Sequence, residues 1–413
     1  MRKILIFDPA GRQMRGHQYA ISKSLTEDLS SHEITVVMHP HADPGAVFAP
    51  NVRRIGWPRT RSLREILFGS AKGPGAIAER EKRDRATLAR IVADCGLGAG
   101  DIIIFHTATG ARVRALCSVI ADMPEDQRPS AHIRFLTLDQ AMDGTGSEEG
   151  LRETGRIIKA LPQAHAYSEN IEMTQHFMAV YGFEDMRPWL IRMTDLQTGD
   201  VPEAGDPKAE YVVGFLASQR SEQGPDKLEA IILASADLVR RGEMPPTRFI
   251  VRTVPVPPIH RRRKHPVVNL SDDLDERLAG SGVTIERIEG SLSSDAYTTL
   301  VQRSHVLAAP YDGKAYWLRS TGLLIDGVNV GRPIVLTPGI AMGDWQDRLS
   351  APRPETIDGF AQALADVANN YPRYAALAKA AREDMNTEMD TVLKDYLGLA
   401  DHEVAQRNKP GAA

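Results

Sequence analysis

The stretch 305–337, HVLAAPYDGKAYWLRSTGLLIDGVNVGRPIVLT, constrains the fold more than any other part of the chain. It reads as a short buried strand over Val306–Ala309 and a polar loop carrying Tyr311, Asp312, Tyr316, Arg319 and Ser320. A helix follows from about Thr321, stopped by Gly331, and Pro333 leads into a second apolar strand, Ile334–Leu336. Strand, loop, helix and strand in this order make a parallel βαβ crossover. In an open parallel sheet, ligands sit outside the carboxyl ends of the strands, over the helix N-termini. Amides near Ser320, Thr321 and Gly322 have no helical partner there and favour an anion, most simply a phosphate. Arg319 adds a positive charge one residue earlier. Asp326, about one turn into the helix, directs a carboxylate toward the same place and suits a ribose diol. Residue types alone explain as much with a capped helix, Ser320 and Thr321 as caps and Asp326 as an acid favoured by the helix dipole.

The same alternation runs along the whole chain. Lys3–Phe7, Ile34–Met38, Asp101–Phe105, His132–Leu136 and Ala164–Ser168 are apolar runs of strand length, and Trp189–Arg192 is expected to close the series. Leu63–Phe68, Ala76–Cys95, Ser147–Ala160 and Asn170–Tyr181 read as helices, the second with a solvated charged face. Thr194–Lys208, rich in Gly, Pro and Asp and without periodicity, reads as a linker. Alternation restarts with Tyr211–Leu216, Arg248–Arg252 and Val283–Ile288, and a helix capped by Ser293 or Ser294 leads into the stretch above. Helices near Gly359–Asn370, Arg373–Met385 and Asn386–Leu397 follow, with a frayed tail beyond Asp401. The expected architecture is α/β, two Rossmann-like open parallel-sheet domains facing a central loop-lined cleft. Its boundaries are 1–193, a linker at 194–209, a second domain at 210–385, and 386–413 as a last helix crossing back to the first domain, with its tail. A length of 413 residues agrees with two cores.

Bulk properties remove some function classes. A net charge of −4 argues against a nucleic-acid partner bound through overall charge. Two cysteines, Cys95 and Cys117, make neither a zinc site nor a disulfide framework and suit buried apolar positions. The start, MRKILIFDPA, is too short in apolar residues for a signal peptide and reads as the first strand. No apolar run approaches the roughly 20 residues of a membrane span. The expectation is a cytoplasmic protein that can touch the inner membrane face. Four consecutive basic residues, Arg261 to Lys264, offer such a contact to an anionic acceptor or a membrane surface, although a solvated loop is the commoner meaning of such a run.

Three further positions carry chemistry. After the first strand, Gly11 and Gly16 bracket a loop with His17 beside it, and the segment is not a G-x-G-x-x-G fingerprint. His106 ends the strand Asp101–Phe105, where a group titrating near neutrality suits general-base or hydroxyl-binding duty; a hydrogen-bonded structural histidine fits equally well. Arg220 lies in the loop after Tyr211–Leu216, with Glu222 and Gly224, and a surface loop accounts for it on residue type.

Taken together these segments resemble the GT-B glycosyltransferases, in particular the large retaining family 4. That family's donor signature is a strand ending in Pro, a loop, a Gly-containing helix start, an acidic residue, then small–x–Gly–x–Pro–x–Val. The matching features are AAPYD, RSTG, Asp326 and NVGRPIV. The resemblance implies that Gly16 and His17 close over the donor and that His106 lines the cleft facing the donor sugar. Arg220, Asp312, Tyr316, Arg319, Ser320, Thr321 and Gly322 would hold the donor, with His106 and Asp326 as the catalytic pair. There are departures: Asp326 stands where Glu is usual, the second upstream Glu is missing, and Gln223 replaces a Lys that Lys227 or Arg319 would have to replace in charge. The implied activity is transfer of a sugar from a UDP- or GDP-linked donor to a hydroxyl of a glycan, lipid-linked or protein acceptor, as in bacterial-type polysaccharide biosynthesis. It implies retention of configuration, no bound metal, and no cofactor other than the nucleotide-diphosphate sugar itself. A catalytically weak homologue binding sugar nucleotides or glycans, and a sugar-nucleotide epimerase of the same fold, are the alternatives.

Overall fold

The computed structural model describes residues 1–8, 17–39, 41–42, 48, 51–57, 74–142, 147–191, 205–217, 220–253, 270–290 and 292–399. The chain divides into two compact units, Met1–Met193 with Met389–Ala413, and Thr194–Glu388. Each is a parallel sheet flanked by helices. In the first, β1 (Lys3–Asp8), β2 (Glu33–Met38), β3 (Val52–Gly56), β4 (Ile102–Phe105), β5 (Ser130–Phe135), β6 (Ala164–Ser168) and β7 (Arg187–Pro188) lie in the order β3-β2-β1-β4-β5-β6-β7. In the second, β8 (Tyr211–Phe215), β9 (Thr247–Thr253), β10 (Val283–Glu289), β11 (Val306–Ala309) and β12 (Ile334–Leu336) take the order β10-β9-β8-β11-β12. All the pairings are parallel.

The strand order explains why apolar runs without alternation mark the central strands. Ile4 to Phe7 and Ile102 to Phe105 are buried on both faces of the first sheet, as parallel strands covered by helices require. In the second unit Tyr211, Val213, Phe249, Val306, Ala308 and Val335 form one core with the helices Pro225–Arg240 and Ile357–Asn369. The order reverses at β1/β4 and at β8/β11, and such switch points leave a crevice at the carboxyl ends of the strands.

Several expectations are corrected. Of the expected strand Trp189–Arg192, the described residues Trp189–Ile191 are not in the sheet; β7 is Arg187–Pro188, paired with Tyr167 and Ser168. Trp189 is apolar because its ring packs against Tyr167 and Tyr396 in the first unit, not because it joins the sheet. β3 was not expected from the sequence: VRRIG is a half-exposed edge strand and lacks the apolar signature. The segments expected as two helices, Arg373–Met385 and Asn386–Leu397, form one helix, Tyr371–Leu397. Asn386 is only a mild helix disfavourer, and buried Met385, Met389, Leu393 and Leu397 continue a four-residue spacing straight through it. The segment PGIAMGDW after Thr337, expected as a loop, is partly helical, since Gly343–Arg348 forms a short helix. The expected helix Leu63–Phe68, the basic run Arg261–Lys264 and all of the expected linker before Gly205 lie outside the described residues. Cys117 is buried and Cys95 half-buried, both as free thiols. No helix among the described residues is long and apolar enough to cross a membrane.

Candidate functional site

The switch point of the second unit gathers the loops that follow β8, β11 and β12. Gly224 adopts φ +70° just before the helix Pro225–Arg240. A Cβ there would lie 2.1 Å from the Pro310 carbonyl oxygen, so only glycine lets the β8 loop close on the end of β11. Lys227 Nζ donates to the same oxygen at 3.1 Å, and the Asp312 amide donates to the Glu222 carbonyl at 2.9 Å. A Cβ on Gly313 would stand 2.2 Å from the Pro338 carbonyl oxygen, which brings in the β12 loop. The Ala341 amide donates to the Tyr316 carbonyl at 2.9 Å, and Thr337 Oγ1 donates to that of Tyr311. Three loops are therefore joined backbone to backbone.

The expected donor residues sit on this assembly. Asp312 caps the short helix Gly313–Tyr316, its Oδ1 accepting from the Lys314 amide at 2.9 Å. Tyr316 is buried, with its ring centroid 4.7 Å from that of Tyr311. Burial pushes the Tyr316 hydroxyl up, and the nearby Arg220 guanidinium opposes the shift. Arg220, whose side chain is more than half exposed, pairs with Glu222 at 3.6 Å. Arg319 and Ser320 are half-buried immediately before Thr321, the N-cap of the helix Gly322–Val330. The Thr321 carbonyl accepts from the amides of Leu324 and Ile325 at 3.1 and 3.3 Å. The amides of Gly322 and Leu323 precede the first helical bonds. Lys227, considered as a replacement cation, is spent on Pro310.

Asp326 is 4% exposed, and its Oδ2 accepts a hydrogen bond from the Tyr297 hydroxyl at 2.8 Å. Burial raises its carboxyl to about 7, although the Tyr297 bond acts in the opposite direction. Arg252, at the end of β9, lines a small pocket with Gln223, Gly224, Phe215, Pro310 and Tyr311. Burial pulls its guanidinium down, and Tyr297 offsets this. Arg252 and the role of Tyr297 were missed from the sequence. Arg252 looks like any strand-end arginine, and only the β8–β9 pairing brings it beside Gln223 and Pro310.

The first-unit candidates fare differently. Gly16 lies outside the described residues, and His17 opens the helix His17–Asp28. His106 is 0% exposed, with Nε2 2.9 Å from Ser22 Oγ and Nδ1 2.9 Å from Thr107 Oγ1. Burial, followed by the Arg134 guanidinium, pushes its pKa down to about 3. Both nitrogens are engaged inside the unit, so in this geometry His106 is the hydrogen-bonded structural histidine weighed against general-base duty. The structure brings Arg220, Asp312, Tyr316, Arg319, Ser320, Thr321, Gly322 and Asp326 into one unit, with His17 and His106 in the other. Among the described residues, no cluster of three or more His, Cys, Asp or Glu is placed to hold a metal ion.

Two parallel-sheet α/β units in tandem are the GT-B architecture, and structural neighbours of the chain include GT-B glycosyltransferases. Sucrose-phosphate synthase from Thermosynechococcus elongatus matches with a TM-score of 0.63 at 14% identity, covering 96% of this chain and 98% of that one. HepE of Anabaena, solved in complex with UDP-glucose, matches at 0.56 and 11% identity over 96% and 98%. A protein from Listeria monocytogenes described as a UDP-N-acetylglucosamine 2-epimerase matches at 0.57 and 12% identity over 97% and 98%. No protein-family model and no curated protein sequence matches the chain.

Proposed function

We propose that this protein is a glycosyltransferase whose second unit binds a nucleotide-diphosphate sugar and whose first unit takes the acceptor. The observation that carries the reading is the laced group of three loops at the β8/β11 switch point, converging on the start of the helix Gly322–Val330. The leading amides of that helix and the guanidinium of Arg319 supply fixed positive potential for a diphosphate. Arg220 and Arg252 add further positive charge on the neighbouring strand ends. Asp326 supplies the acceptor oxygens that two ribose hydroxyls need. Stabilising the diphosphate as it leaves is the main catalytic contribution of such a site. The neighbour solved with UDP-glucose supports a nucleotide sugar as the ligand. Retention of configuration and independence of metal rest on the sequence resemblance to family 4.

Nucleotide release from UDP- and GDP-sugars tests the activity. Free nucleotide is expected, at least through slow donor hydrolysis. Tight binding without turnover would instead support an accessory sugar-nucleotide-binding role. An epimerised sugar still attached to its nucleotide would support the chemistry of the Listeria neighbour. The site itself is tested by titration calorimetry. Arg319→Ala and Asp326→Ala are each expected to weaken nucleotide binding by about tenfold to a hundredfold, the loss of one charge-assisted contact. Unchanged affinity in both variants would remove the site assignment.

A further inference from the structure

The donor-site reading leaves open what holds the ribose-binding carboxylate in place, and a second helix answers it. Asp326 stands on the helix Gly322–Val330, whose Leu324 and Ile325 are fully buried, so its Cα cannot move far. Its Oδ2 is met by the hydroxyl of Tyr297, on the separate helix Ser294–Arg303, whose Leu300 and Val301 are also buried. Arg252 from β9 and Tyr311 from the β11 loop lie within electrostatic reach of Tyr297, and Tyr311 within that of Asp326. Arg252 and Tyr311 line the pocket. The Tyr297–Asp326 pair is thus coupled electrostatically to two groups that border the cavity.

We propose that Tyr297 is a positioning residue for nucleotide recognition: its hydroxyl holds Asp326 in the ionised, acceptor-only form that a ribose diol requires. The proposal rests on the donor-site reading above. An ionised carboxylate has about four lone-pair sites. One is taken by Tyr297, and on this proposal the others accept from two ribose hydroxyls. Protonation turns one oxygen into a donor and removes that match. Burial favours the protonated form and the Tyr297 bond favours the ionised one, so the site is poised near neutrality.

The test is nucleotide affinity for UDP and GDP from pH 5.5 to 9 by titration calorimetry. It is run on the full chain, Tyr297→Phe and Asp326→Asn, with thermal unfolding of the ligand-free proteins over the same range. Affinity of the parent protein is expected to rise through a midpoint near neutrality. In Tyr297→Phe that midpoint moves up by about one to two pH units, the loss of one hydrogen bond to a charged group. In Asp326→Asn the dependence disappears. Stability provides a separate readout. A carboxyl raised on folding costs stability as pH climbs from its unfolded value to its folded one, and nothing more above that. The pH at which stability stops falling is therefore expected to move up in Tyr297→Phe. An unmoved affinity midpoint in Tyr297→Phe, with nucleotide still bound, overturns the positioning role and leaves the donor site standing. Failure of the parent protein to bind either nucleotide at any pH overturns both.

Discussion

Arg134→Ala is expected to lower the stability of the first unit by about 3–5 kcal/mol, the loss seen when one partner of a buried ion pair is removed. Arg134 is 0% exposed on β5, and each part of its guanidinium has a partner. Nε donates to the Trp189 carbonyl at 2.7 Å, one terminal nitrogen to the His106 carbonyl at 3.1 Å, and the other to Glu169 Oε1 at 3.0 Å. Truncation removes the cationic partner of the Glu169 carboxylate, 4% exposed, and a donor from each of the two carbonyls. For a unit of this size the loss corresponds to a fall of about 8–15 °C in thermal midpoint. The pair is not itself a large net source of stability, because bringing both charges out of water costs nearly as much as their attraction returns. Arg134→Met with Glu169→Leu is therefore expected to recover most of the loss. A fall of under about 3 °C in the single variant, or a double variant no better than the single one, would contradict this account.

Gly224→Ala is expected to cost about 2–5 kcal/mol, the sum of two independent effects. An L-residue in the left-handed region costs roughly 1–2 kcal/mol, and forced overlap in a packed site costs about 1–3. The overlap is with the Pro310 carbonyl, a backbone atom, so no rotamer change relieves it. Gly242 is the control. Its φ is +72°, yet nothing lies within 4 Å of a Cβ built there, so Gly242→Ala carries the conformational cost alone. Chemical unfolding of the two variants isolates the clash as their difference. Nucleotide affinity should fall at least about tenfold in Gly224→Ala, because the β8 loop can no longer sit on the β11 loop, and remain unchanged in Gly242→Ala. A Gly224 variant no less stable than the Gly242 variant would show that the close approach of the two loops does not matter.

The parts of the fold that were legible are those whose chemistry is local. Val306–Ala309 and Ile334–Leu336 are found at the expected residues, because a strand covered on both faces must be apolar at every position. Gly331 ends its helix with φ +65°, as glycine at that place should. Val52–Gly56 was missed because an edge strand with one neighbour can carry arginines. The break expected near Asn386 fails because tertiary burial of a continuous methionine and leucine stripe outweighs a small propensity cost. In the candidate site, the loop 312–322 and the helix after it were readable from their order, since they follow one another along the chain. Tyr297 and Arg252 were not, because what matters is the Asp326 carboxylate 29 residues away and the β8–β9 register. His106 was placed correctly at its strand end, but the burial that lowers its pKa, the Arg134 guanidinium that adds to it and the Ser22 partner of its Nε2 come from the packing of other elements.

The glycines at 224 and 313 each make room for a carbonyl that belongs to a different loop. Inheritance of these segments is consequently joint: a chimaera that imports one loop from a relative, with a bulkier residue or a longer span, displaces its neighbour as well. Retuning donor preference by grafting should succeed only when the segments after β8, β11 and β12 are exchanged as a set.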